Sequence, residues 1–170
     1  MRRELILYAT PTGPLAEACA RYFRCASRLG TTEAQGYPPH CTLTGFFHRT
    51  PERVDEVVRE TTSRLVAAGP VPDDAVIVKR LGASDAWVGL ELSSSYLLRL
   101  TEELFVEHRL DAGDDPVRGK DWLHLSLAYG VDDLAPYGLL AESVVDPSAP
   151  AGWEVALWER RRDGTWRRFE

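Results

Sequence analysis

Two short patterns of one kind stand far apart in the chain: His40-Cys41-Thr42 and His124-Leu125-Ser126. Each places a hydroxyl side chain two residues after a histidine. Side chains along a strand alternate between faces, so on a strand His40 and Thr42 share one side while Cys41 and Leu43 point into a core. The same holds for His124 and Ser126 against Leu125 and Leu127. Each strand thus offers one imidazole and one hydroxyl to a common groove. That set suits phosphoryl transfer without a metal. The reaction needs a base for the nucleophile's proton and an acid for the leaving oxygen. An ordinary imidazole pKa of about 6.5 lets one ring be neutral and the other charged near neutral pH. The hydroxyls of Thr42 and Ser126 can donate to the non-bridging oxygens, where negative charge must be held. We assign His124 as base and His40 as acid, an order that the near-symmetry of the motifs scarcely distinguishes.

The elements that must position these residues can be read from periodicity. A continuous apolar run at 5–9 reads as a buried strand. Residues 14–29 place seven side chains, Leu15 to Leu29, on one helix face, with Pro14 in the first turn and Gly30 at the stop. Residues 40–47 alternate as a strand. A helix opens at Thr50-Pro51 and closes at Gly69-Pro70. Strands follow at 75–79 and 86–92, with a turn between them. Ser94 or Ser95 can cap a third helix. A polar loop spans 111–121, a strand 122–129, and a short helix lies near 134–140. Asp163-Gly164 between two extended runs marks a hairpin. The order echoes itself: strand, helix and histidine strand, twice. Tyr8 precedes His40 by 32 residues, and Leu92 precedes His124 by 32. Duplication is the economical explanation, because two similar lobes bring equivalent residues together about a pseudo-twofold axis.

The segments PPHCTLTGFF and WLHLSLAYG resemble the paired signature motifs of the 2H phosphoesterase superfamily. The serine of the second motif, with Tyr129 five residues after the histidine, most resembles the 2′,3′-cyclic nucleotide phosphodiesterase branch. The resemblance implies an α+β fold of two pseudo-symmetric α/β lobes, with antiparallel sheets flanking a central groove. It implies catalytic roles for His40 and His124, phosphate binding by Thr42 and Ser126, and a tyrosine near the phosphate at Tyr129. Strand parity points Tyr129 away from His124 unless the strand ends or bulges there. Members open cyclic phosphates or cleave and join 2′–5′ linkages, without an obligatory metal or cofactor. The expected substrate is a small nucleotide or an RNA-end phosphate. A 2′–5′ RNA ligase or phosphodiesterase, or a nucleotide-binding module without turnover, are the rival readings.

Other residues carry weaker signals. Trp122 shares a face with His124 and could stack on a nucleobase. Tyr37 either lines the entrance or packs its loop. His48 reads as a surface residue and His108 as helix packing. Arg118 and Lys120 could attract phosphate or stay solvated. The histidine spacings match no metal-ligand pattern such as H-E-x-x-H. Cys19, Cys25 and Cys41 form no C-x-x-C pair and read as small hydrophobes.

At 170 residues the chain fits one domain, 1–170, made of two duplicated lobes. The net charge of −6 argues against a duplex-DNA binder. Arg160, Arg161, Arg162, Arg167 and Arg168 cluster late in the chain among acidic residues, as in a solvated hairpin. No stretch approaches the roughly 20 apolar residues of a membrane helix, and MRRELILYAT lacks a signal-peptide pattern. A cytoplasmic monomer without membrane contact is expected.

Overall fold

The computed structural model describes residues 2–105 and 116–170. His108 and much of the expected polar loop lie outside these residues. The described elements run β1 (Arg3–Thr12), α1 (Pro14–Ala26), a 3-10 turn (Glu33–Gly36), β2 (Cys41–Thr42), β3 (Phe47–Arg49) and α2 (Pro51–Ala68). They continue with β4 (Ile77–Ala83), β5 (Val88–Ser93), α3 (Ser95–Phe105), β6 (His124–Ala128), α4 (Ala135–Val144), β7 (Gly152–Arg160) and β8 (Trp166–Arg168). Among the described residues the fold is mixed α+β, an antiparallel sheet with four α-helices. Among the described residues no helix is long and apolar enough to cross a membrane.

The helices follow their apolar stripes. Pro14 sits in the first turn of α1, where its missing N–H costs nothing, and Leu15, Ala18, Cys19, Tyr22 and Ala26 are buried. Ser94 caps α3 by accepting the Leu97 amide at 3.0 Å. Buried residues of all four helices join one core with Leu5, Leu7, Ala9, Cys41, Leu43, Leu90, Leu92, Leu125 and Leu127. The helices therefore cover one face of the sheet. Tyr8, His40, Thr42, His124 and Ser126 alternate with these core residues and lie on the other face.

The strands form one continuous sheet in the order β4-β5-β6-β2-β1-β7-β8, with β3 also beside β1. The two sheets expected to flank a groove are thus joined edge to edge, through the β2–β6 pair of Cys41 and Leu125. β7 returns from the end of the chain to pair with β1 along its length, from Glu4↔Arg160 to Thr12↔Gly152.

The strand expected at 40–47 is broken. Tyr8 faces Thr42 and Leu5 faces Phe47, so three steps along β1 match five along its partner. The two extra residues bulge out between β2 and β3. There the chain changes partners: the Gly45 amide donates to Arg118 O at 2.8 Å, and the Lys120 amide to Leu43 O at 2.9 Å. The Thr44 hydroxyl accepts the Leu7 amide at 3.0 Å, taking the place of a ladder carbonyl. The equal 32-residue intervals also need correction. Tyr8 lies opposite Thr42, but Gly89, not Leu92, lies opposite Ser126.

Candidate functional site

Register alone brings the two motifs together. Cys41 pairs with Leu125 in an antiparallel ladder, so His40 falls opposite Ser126, and Thr42 opposite His124. Direct antiparallel partners sit about 4.5–5.5 Å apart and diagonal ones about 7–8 Å. The imidazoles therefore occupy one diagonal of a four-residue diamond and the hydroxyls the other. All four line one pocket of about 330 Å3, together with Trp87 and Tyr129, with Ala34 and Ala86 completing the walls.

The two histidines are held alike. His40 Nδ1 donates to Pro38 O at 2.6 Å, and His124 Nδ1 donates to Trp122 O at 3.3 Å. A carbonyl can only accept, so each Nδ1 carries the hydrogen and each Nε2 is left for the pocket. Each ring is backed by an aromatic at 3.9 Å between centroids: Tyr8 behind His40 and Trp122 behind His124.

Their electrostatics differ. Burial pulls the His40 pKa down from 6.5 to about 4; the Pro38 hydrogen bond opposes this and His124 adds to it. His124 is also lowered by burial, against its bond to Trp122 O, with the Lys120 charge helping to lower it. His40 is the more deeply seated and the more firmly neutral. That suits a base, the reverse of the order assigned from sequence.

Tyr129 reaches the pocket because β6 bulges. Gly89 pairs with Ser126 and Val88 with Ala128, leaving Leu127 extra. The bulge flips parity, buries both Leu127 and Ala128, and returns Tyr129 to the histidine face. Burial pushes its hydroxyl pKa up to about 12, so it stays a neutral donor. Trp122 is 52% exposed and does not line the pocket; it lies stacked on His124 with an interplanar angle of 25°.

Sequence reasoning missed Trp87. Its indole N–H donates to Ser126 Oγ at 3.0 Å, so the serine's own hydrogen is directed elsewhere, with the pocket before it. The ring lies against two glycines: a Cβ on Gly82 would meet it at 2.9 Å, and one on Gly89 at 2.4 Å. The signal was present as an aromatic at the head of a strand two residues before a glycine. Tyr37 packs between His40 and Trp166, with centroids 5.6 and 5.2 Å away, and its hydroxyl interacts with Tyr129 and Arg160. His48 lies elsewhere, 3.6 Å from Glu4. Arg118 and Lys120 serve the bulge through their backbones and do not line the pocket. Cys19 and Cys41 are buried thiols, both pushed up to about 12 by burial. Cys25 is half-buried.

No known family profile matches the chain. Ubiquitin-associated and SH3 domain-containing protein B from Mus musculus and from Homo sapiens are each 29% identical over 167 residues, covering 93% of this chain and 25% of theirs. Ecdysteroid-phosphate phosphatase from Bombyx mori is 25% identical over 164 residues, covering 93% of this chain and 24% of its own. The chain thus spans about a quarter of the length of the curated relatives it matches, and one of those relatives is named as a phosphatase.

Proposed function

We propose that the protein is a 2H-type phosphoesterase that hydrolyses 2′,3′-cyclic nucleotide phosphates by paired-histidine acid–base catalysis. The observation that carries this reading is the register at Cys41 and Leu125, which sets two imidazoles across one pocket with two hydroxyls between them. The local twofold axis of that antiparallel pair relates His40 to His124 and Thr42 to Ser126, as a duplicated 1–170 unit of two lobes would. The similarity to a named phosphatase supports phosphoester chemistry in general.

His40, neutral, takes a proton from water through Nε2 as the oxygen attacks phosphorus. The bond from phosphorus to one ribose oxygen breaks, and His124 donates its proton to that oxygen. The product is a phosphomonoester, and the imidazoles have exchanged protonation states, to be reset by solvent. Thr42, Ser126 and Tyr129 donate to the non-bridging oxygens, with Trp87 keeping the serine hydrogen aimed. The exposed face of Trp122 offers a surface on which a base can stack.

The test is turnover of a panel of 2′,3′-cyclic mononucleotides followed by phosphorus NMR, in the presence of EDTA. His40→Ala and His124→Ala should each lower kcat by about 10²–10⁴-fold with an unchanged circular dichroism spectrum. Retention of most activity by His40→Ala on every cyclic phosphate would overturn the mechanism. Binding without product over hours would favour a non-catalytic nucleotide module.

A further inference from the structure

Tyr37 stands one step back from the histidine pocket and is held from several sides. It closes the 3-10 turn, its amide donating to Ala34 O at 3.3 Å. Its ring is wedged between His40 and Trp166, with centroids 5.6 and 5.2 Å away. Trp166 is itself fixed, its indole N–H donating to Gly36 O at 2.9 Å. A half-buried tyrosine held this way has little freedom in where its hydroxyl points, and that hydroxyl needs partners.

It has two, Tyr129 and Arg160. Counting hydrogens gives the bonds a direction. A guanidinium can only donate, so Arg160 gives a hydrogen to the Tyr37 oxygen. Tyr129 lines the pocket, where a bound anion is the strongest acceptor its hydrogen can reach. With the Tyr129 hydrogen taken by that anion, the hydrogen of Tyr37 goes to the Tyr129 oxygen. Arg160 is anchored from behind by Glu4, whose carboxylate accepts from Nε at 2.5 Å, and it lies opposite Trp166 in the β7–β8 hairpin. The 3-10 turn thus grips Tyr129 twice: the Glu33 amide donates to Tyr129 O at 3.1 Å, and Tyr37 meets its hydroxyl.

We propose that Tyr37 and Arg160 are positioning residues for the pocket, which together aim the Tyr129 hydroxyl at a bound phosphate and strengthen it as a donor. Neither touches the substrate. The guanidinium polarises Tyr37 and Tyr37 polarises Tyr129, since each bond in such a chain strengthens the next. The gain is largest as charge builds on the non-bridging oxygens, so it falls on kcat rather than KM. The inference rests on the phosphoesterase reading and deepens it, extending the site from the pocket to the β7–β8 hairpin.

Turnover of a 2′,3′-cyclic mononucleotide is compared for the wild type, Tyr37→Phe, Tyr129→Phe and the double variant, all of which keep both rings. Tyr37→Phe should lower kcat about fivefold, the worth of one hydrogen bond, with KM unchanged. Tyr129→Phe should lower it about a hundredfold. The double variant should lose no more than Tyr129→Phe, because Tyr37 acts through Tyr129 alone. An unchanged kcat in Tyr37→Phe would overturn the proposal. So would a loss that persists in full without the Tyr129 hydroxyl, since Tyr37 would then merely prop the fold. A second readout needs no turnover. In protein labelled with carbon-13 at tyrosine Cζ, the Tyr129 resonance is the one missing from Tyr129→Phe. It should move in Tyr37→Phe, and in Arg160→Gln only while the Tyr37 hydroxyl is present; Tyr37→Phe decides alone if Arg160→Gln does not fold. A Tyr129 resonance indifferent to Tyr37→Phe would overturn the proposal, as would an Arg160→Gln shift that survives without the Tyr37 hydroxyl. A responsive resonance in a chain that turns over no cyclic phosphate would leave the relay standing and sink the hydrolase reading instead.

Discussion

At the residue scale, the two imidazoles share one hydrogen-bonding pattern but differ in depth, and in the proposed mechanism depth decides their roles. With His40 near 4 and His124 below 6.5, the state that the proposed mechanism requires, His40 neutral and His124 charged, is most populated on the acid side of neutrality. The kcat/KM profile should therefore be a bell with its maximum below pH 6.5. Removing the Lys120 charge with Lys120→Gln should move the basic limb upward, because that cation opposes His124 protonation. An unmoved limb would show that Lys120 is too far from His124 to matter. Stability should carry the same signature. A histidine lowered on folding binds more protons when unfolded, so its contribution is complete above about pH 6.5 and drains as pH falls toward 4. For His40 that amounts to about 3 kcal/mol. Urea midpoints measured between pH 7 and pH 4.5 should fall, and fall less in His40→Gln.

At the element scale, the site depends on irregularities that keep strands from running straight. The bulge at Leu127 turns Tyr129 to the histidines, and the one between β2 and β3 ends the first motif strand after Thr42. Gly89 lets β5 and β6 close on each other under the Trp87 ring. A Cβ there would lie 2.2 Å from the Leu125 carbonyl oxygen, which is backbone and cannot swing aside. Gly89→Ala should cost about 1–3 kcal/mol and weaken turnover by displacing Ser126; thermal melts and kcat/KM of the same preparation check both. The helices were legible in the sequence because α1 and α2 carry clean apolar stripes between a proline and a glycine. The pairing of His40 with Thr42, and of His124 with Ser126, was legible because parity is local. The bulges were not, since each depends on which strand lies alongside. Trp87 escaped notice for the same reason: its role is set by Gly82 and Ser126, contributed by two different neighbouring strands.

At the scale of the whole molecule, the sheet is stitched in an order unlike that of the chain. β2 and β6, from opposite halves, are neighbours at the centre, so the diamond of side chains exists only while both halves are joined. β1 becomes an interior strand only because β7 arrives on its far side. Deleting residues 152–170 should leave β1 as a long, apolar, unpaired edge, the geometry that promotes edge-to-edge association. Light scattering and gel filtration should show aggregates, with no cyclic phosphate turnover. A soluble, active truncated chain would show that β1 does not need this partner. The return of β7 also sets a constraint in time. A ribosome releases β1 more than a hundred residues before its partner strand β7. Strand β1 must wait, shielded or loosely collapsed, until synthesis has passed everything between, so a segment made early in this fold is among the last to reach its final hydrogen bonds.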